Sequence, residues 1–261
     1  MQTERFLIEY GGEHVGLSGA VRHSGRHLIT LLHGFGCTSE CFGEIFDNTA
    51  LDDMSILALD FPGHGDSGRL NDISLYNLQA FADMANAVID LLSPEQVTFV
   101  GHSMGGAVSL IASQTRNDLY GLVDVDGNLV SQDCGIVSRE TADQPLDQFL
   151  EHGYGDFLDF LRKSEDQAAL KWATWYAKAD PAALHELARS LVEWSDSGKL
   201  LDLLKSQKRV VYLHGDQDSK DYLLPVIDDI EIRAIAHSGH FMMVDNPTAF
   251  FQAVVDFMSA G

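Results

Sequence analysis

Val97-Thr98-Phe99-Val100-Gly101-His102-Ser103-Met104-Gly105-Gly106-Ala107-Val108-Ser109-Leu110-Ile111-Ala112-Ser113 decides the fold. Its first four residues are a β-branched and aromatic run suited to a buried strand, and the residues from Gly106 onward are apolar at helical spacing. Between them stands Gly-x-Ser-x-Gly, which occurs nowhere else in the chain. At a strand-to-helix junction this pentapeptide predicts a sharp reversal, so tight that side chains on the flanking positions would collide with the strand or the helix. The serine is then held in a strained backbone conformation, with its hydroxyl projecting above the edge of the sheet.

Further signals lie on both sides of it. Leu28-Ile29-Thr30-Leu31-Leu32 ends in His33-Gly34-Phe35-Gly36, and the run from Met54 to Leu59 ends in Asp60-Phe61-Pro62-Gly63-His64-Gly65-Asp66-Ser67. Towards the C-terminus, Val210-Val211-Tyr212-Leu213 leads into His214-Gly215-Asp216-Gln217-Asp218. Ile232 to Ala236 then leads into His237-Ser238-Gly239-His240-Phe241. Together these motifs resemble the α/β-hydrolase superfamily over nearly the whole chain. The resemblance implies an α/β fold, a mostly parallel eight-stranded sheet flanked by helices, with a helical cap inserted over the pocket. Many chemistries share that fold, so the reaction must be argued from the site.

Residues 4–10 and 14–22 read as edge strands joined at Gly11-Gly12. Strands at 28–33, 54–59, 97–100 and 122–126 alternate with helical patterns, one starting near Ser39 and another carrying Leu75, Leu78, Phe81, Ala82, Met84, Val88, Ile89 and Leu92. Such alternation predicts a parallel sheet covered on both faces. From Ser131 the rhythm becomes helical, with patterns at 145–162, 165–178, 181–195 and 198–206. The sheet resumes at 209–213 and 231–236, and Pro247 opens a last helix through Met258. The expected organisation is therefore a core of 1–130 and 204–261 with a cap at 131–203.

The chain has 261 residues, 45% of them hydrophobic, enough for one large domain with a sizeable core. Its net charge of −22 argues against nucleic acid or an anionic membrane as partner. No apolar run approaches a membrane span and no secretion signal follows Met1, so a cytoplasmic location is expected. Three cysteines, an odd and small number, fit free thiols in a reducing compartment. Cys37 and Cys41 lack further ligands at metal-site spacing and read as small buried apolar residues. No residue set resembles a metal site or a nucleotide cradle, and Gly63-His64-Gly65 lacks the Lys-Ser/Thr of a phosphate loop. Neither a metal nor a cofactor is expected.

Within the resemblance, Ser103 is the nucleophile and His240, preceded by Gly239 after the last strand, is the base that takes its proton. His237 is the rival base. Asp218, in Gly-x-x-Asp after strand 209–213, is the expected carboxylate partner of the histidine, with Asp126 and Asp216 left open. The oxyanion donors are expected to be the backbone N–H groups of Met104 and Phe35. Phe35, His102, Asn128, Trp172 and Trp175 are the candidate substrate contacts, all three tryptophans (Trp172, Trp175 and Trp194) lying in the cap segment; His102 is assigned no proton transfer. The expected partner is a small-molecule ester or related carbonyl compound, cleaved through an acyl-enzyme. Carbon–carbon bond hydrolysis, lactone opening, cofactor-free haloperoxidase-like chemistry and a non-catalytic ligand receptor are the alternatives.

Overall fold

Eight strands form one sheet in the order β1-β2-β4-β3-β5-β6-β7-β8 in the computed structural model, which describes residues 2–135 and 137–260. The strands are β1 (Gln2–Tyr10), β2 (Glu13–Arg22), β3 (His27–Leu32), β4 (Ser55–Leu59), β5 (Gln96–His102), β6 (Leu119–Val125), β7 (Val210–Gly215) and β8 (Glu231–Ile235). Strands β3 to β8 run parallel, and β2 is antiparallel to both of its neighbours. The β1–β2 hairpin turns on Gly11 and Gly12, both at positive φ.

The central strands are apolar on both faces because helices cover both faces. Leu28 to Leu32, Ile56 to Leu59 and Val97 to Val100 are all buried. Helix α1 (Leu78–Leu92) is capped by the Asn77 side chain on Ala80 N–H and buries Phe81, Met84, Val88 and Ile89. It packs on α2 (Met104–Ser113), which leaves β5 directly through Ser103. The pattern near Ser39 forms a 3-10 helix, Ser39–Asp47, rather than an α-helix. Asp60 pins the turn at its start: its carboxylate accepts the N–H groups of Ser39 (2.7 Å) and Asp66 (3.0 Å).

Between β6 and β7 the described residues form no strand, only loops, a 3-10 turn at Ser131–Cys134 and helices. The α-helices are α3 (Ser138–Asp143), α4 (Leu146–Gln148), α5 (Tyr154–Arg162), α6 (Gln167–Tyr176), α7 (Pro181–Asp196) and α8 (Lys199–Ser206). The pattern at 145–162 is not one α-helix: Phe149–Gly153 is a π-helical turn joining α4 to α5. Such a turn admits an extra residue, which a 3.6-residue pattern does not reveal. Helix α3 carried no sequence signal strong enough to be expected. Asp180 caps α7 through the N–H groups of Ala182 and Ala183, with Pro181 in its first turn. The chain closes with α9 (Met242–Asp245) and α10 (Pro247–Ser259), which buries Phe250, Val254 and Phe257. No described helix is long and apolar enough to cross a membrane.

Candidate active site

The carboxyl ends of the parallel strands bring the candidate residues together, as is general for open parallel sheets. Phe35 follows β3, Ser103 follows β5, Asp126 follows β6, Asp218 and Lys220 follow β7, and His240 follows β8.

Ser103 has φ 54° and ψ −120°, a conformation L-residues rarely adopt. The reversal behind it depends on Gly105, where an added Cβ would lie 2.0 Å from the Leu32 carbonyl oxygen. Ser103 Oγ donates to Asn128 Oδ1 at 3.3 Å. Asn128 is held in turn, its Nδ2 donating to the Asp133 carbonyl at 3.0 Å. Asp133 accepts the N–H groups of Leu129 and Val130 and the Tyr222 hydroxyl.

His240 Nδ1 stands 2.7 Å from Asp126 Oδ2, and this corrects the assignment of Asp218 as its partner. Asp218 lies nearby, half-buried, but its carboxylate makes no hydrogen bond with any described residue. Local backbone geometry explains the exchange. Asp126 has φ 49°, its N–H donates to Leu213 O at 2.8 Å, and the resulting turn off β6 aims the carboxylate at the ring. Asp216 is also turned elsewhere, accepting the Ser238 N–H at 3.2 Å. Two residues that sequence reasoning missed complete the cluster: Tyr212 Oη donates to Asp126 Oδ1 at 3.0 Å and Lys220 Nζ lies 2.5 Å from the same oxygen. Burial would push the Asp126 carboxyl up, but the His240 hydrogen bond and the Lys220 charge hold it well below the usual range. Burial and the neighbouring Asp126 charge instead raise Asp218. Burial pulls the Lys220 ammonium down, yet Asp126 outweighs it and the ammonium ends above its ordinary value.

His102 is fully buried, and burial followed by the His240 ring beside it depresses its pKa to about 3. A neutral ring facing the His240 carbonyl at 3.0 Å must donate from Nε2, so His102 holds the backbone of His240. His33 is neutral for the same reason of burial, its pKa at about 4, and its Nε2 accepts the Phe61 N–H. His237, the rival base, has φ 56° and is not on the Ser103 cavity.

That cavity measures about 20 Å³, the size of one water molecule. Phe35, His102, Asn128, Val137, Trp172 and His240 are among its walls. Of the candidate substrate contacts, Trp175 is the exception: it is buried against Phe241, with ring centroids 6.2 Å apart. Trp194 lies under the Lys199 ammonium and is not on the Ser103 cavity. Two wider grooves, of about 910 and 840 Å³, flank the cavity. The first shares Val137 with it, and the second shares Trp172, His240 and Phe241. Phe35 N–H donates to no described residue, and Met104, first in α2, has no helical partner for its N–H. Both residues are buried.

Asp126, Asp218 and His240 have ligand-type atoms within 4.8 Å of one another. The Lys220 ammonium already supplies the positive charge at Asp126, and His240 Nδ1 is engaged by the same carboxylate. That donor set does not fit a cation. All three cysteines are buried free thiols.

Residues 31–253 match the model of the alpha/beta hydrolase family. The chain belongs to that family. It is 24% identical over 245 residues to a Mycoplasma genitalium protein provisionally named an esterase/lipase, spanning 89% of each chain. Among solved structures, an esterase from Thermogutta terrifontis superposes with TM-score 0.77 at 19% identity, over 99% of this chain and 98% of that one. A mutant of the N-acyl homoserine lactonase AidH, complexed with N-hexanoyl homoserine lactone, superposes with TM-score 0.77 at 16% identity, over 98% and 97%.

Proposed function

We propose that the protein is a serine hydrolase that cleaves carboxylic esters of small to medium apolar substrates through an acyl-enzyme. The observation that carries this reading is a serine in a strained elbow, sharing a buried cavity with a histidine whose other nitrogen is bound to an inward-turned carboxylate. Ser103 rotates from Asn128 and attacks the carbonyl carbon, while His240 Nε2 takes its proton. Asp126 holds the Nδ1–H tautomer and stabilises the imidazolium, and the N–H groups of Phe35 and Met104 receive the oxyanion. His240 returns the proton to the departing alcohol; water activated by the same ring then releases the acid. The helices between β6 and β7 act as the cap over this site. A Ser103 hydroxyl not yet bonded to His240 does not oppose the reading, because such bonds often tighten only with substrate present. Lactones are cyclic esters and fall to the same steps.

The test is labelling by a fluorophosphonate followed by turnover of nitrophenyl esters, lactones and dienoic ketones. Labelling confined to Ser103, with ester or lactone turnover that Ser103→Ala reduces by on the order of 10⁶, is the expected result. An unlabelled protein that binds but does not convert these compounds would mean a receptor. Turnover of the ketones alone would mean carbon–carbon bond hydrolysis.

A further inference from the structure

Trp172 lies in α6, in the helical insertion, yet its strongest polar contact is with the core. Its indole Nε1 donates to the Phe35 carbonyl at 3.0 Å, and both residues are buried, at 7% and 4% exposure. Phe35 sits in a turn closed by Cys37 N–H on Gly34 O at 3.1 Å, with Gly36 in its third position at φ 64°. A turn with positive φ there exposes its central carbonyl, and this carbonyl is the one Trp172 holds. One helical turn further on, Tyr176 closes over the same loop: a Cβ on Gly36 would lie 2.4 Å from Tyr176 Cδ2. Thus α6 grips the Phe35–Gly36 peptide, and Phe35, whose N–H donates to no described residue, lines the Ser103 cavity.

We infer that Trp172 is a positioning residue of the oxyanion hole: through its N–H it holds the Phe35 turn in the orientation that presents the Phe35 amide to a developing oxyanion. The inference rests on the esterase reading above and goes beyond it. An oxyanion donor must be held still before charge develops, and a short glycine-containing turn cannot do this alone. A side chain that only shapes the substrate pocket acts on KM for bulky substrates. One that only packs α6 on the core acts on thermal stability. A side chain that orients an oxyanion donor acts on kcat for every ester alike, because every ester passes through the same anion.

The experiment replaces Trp172 by Phe and, to keep the ring shape, by 3-benzothienylalanine at position 172 alone, which exchanges the N–H for sulfur. Acetate and hexanoate esters are assayed, together with inhibition by a trifluoromethyl ketone that forms a tetrahedral adduct with the serine. Expected for the benzothienyl variant is a fall in kcat of between about 10- and 100-fold on both esters, less than loss of a direct donor. KM should stay within about 2-fold, and ketone affinity should weaken by the factor by which kcat/KM falls. Unchanged kcat with a shift in KM for hexanoate alone, or a lowered Tm with kinetics intact, overturns the inference. A wild-type protein that neither cleaves esters nor binds the ketone overturns the esterase reading and this one together. An active wild type with unaffected variants overturns this one alone.

Discussion

Asp126 receives three donors, from His240, Tyr212 and Lys220, two of them on one oxygen. The ring therefore faces a carboxylate whose geometry is fixed from behind, so its tautomer is set before substrate arrives. Asp126→Asn should lower kcat by roughly 10⁴ with the fold intact, because an amide favours the wrong imidazole tautomer. Asp218→Asn should cost less than about 10-fold, since Asp218 bonds to nothing on the ring. Steady-state kinetics of both variants decide this, and the reverse ranking would return the role to Asp218. Choosing among the aspartates from sequence alone was not possible in physical terms. Both 126 and 218 follow parallel strands, and the choice turns on a positive φ at Asp126 and on which loop reaches His240. Lys220 and Tyr212 had no signal either, a lysine in a loop and a tyrosine in a strand being ordinary.

At the scale of elements, strands and long helices were legible because burial on both faces leaves apolar runs and burial on one face leaves a 3.6-residue period. The π turn at Phe149–Gly153 and the short α3 were not, since neither sustains a period. Strand β6 also carries a cost that its sequence only hints at. Asp124 is fully buried, one oxygen accepting Gly127 N–H at 2.8 Å and the other without a partner among the described residues. Burial pushes its carboxyl up to about 8, whereas in the unfolded chain it titrates near 4. Between those values the unfolded chain gives up its proton and the folded chain keeps it. The contribution of this carboxyl to folding stability therefore falls as pH rises between them. Asp124→Asn keeps the bond to Gly127 and removes the ionisation. Urea unfolding of Ser103→Ala with and without it should show little difference at about pH 4 and a more stable Asn variant at about pH 9. Equal stability at pH 9 would show that Asp124 ionises without cost.

Across the whole molecule, the charge of −22 sets up self-repulsion and repels anions from the grooves beside the site, which carry Glu140, Asp143 and Asp156 on one side and Asp166, Asp218 and Asp245 on the other. Salt screens such a field with a length of about 10 Å at 0.1 M. Raising NaCl from about 0.01 to 0.5 M should thus raise Tm and increase kcat/KM for a carboxylate-bearing ester several-fold, leaving a neutral ester of equal size unchanged. Parallel rate measurements on the two esters check it, and an equal response of both would remove the field from the account.

The insertion between β6 and β7 also has a consequence for how the molecule is made. Asp126 and His240 are 114 residues apart, and synthesis at 5–20 residues per second puts on the order of ten seconds between them. Throughout that interval Ser103 exists on the ribosome without His240, and until residues 210–215 are made β6 presents an open hydrogen-bonding edge that β7 later covers. The nascent chain is therefore sticky, and chaperones have more reason to hold it in those seconds than at any later time.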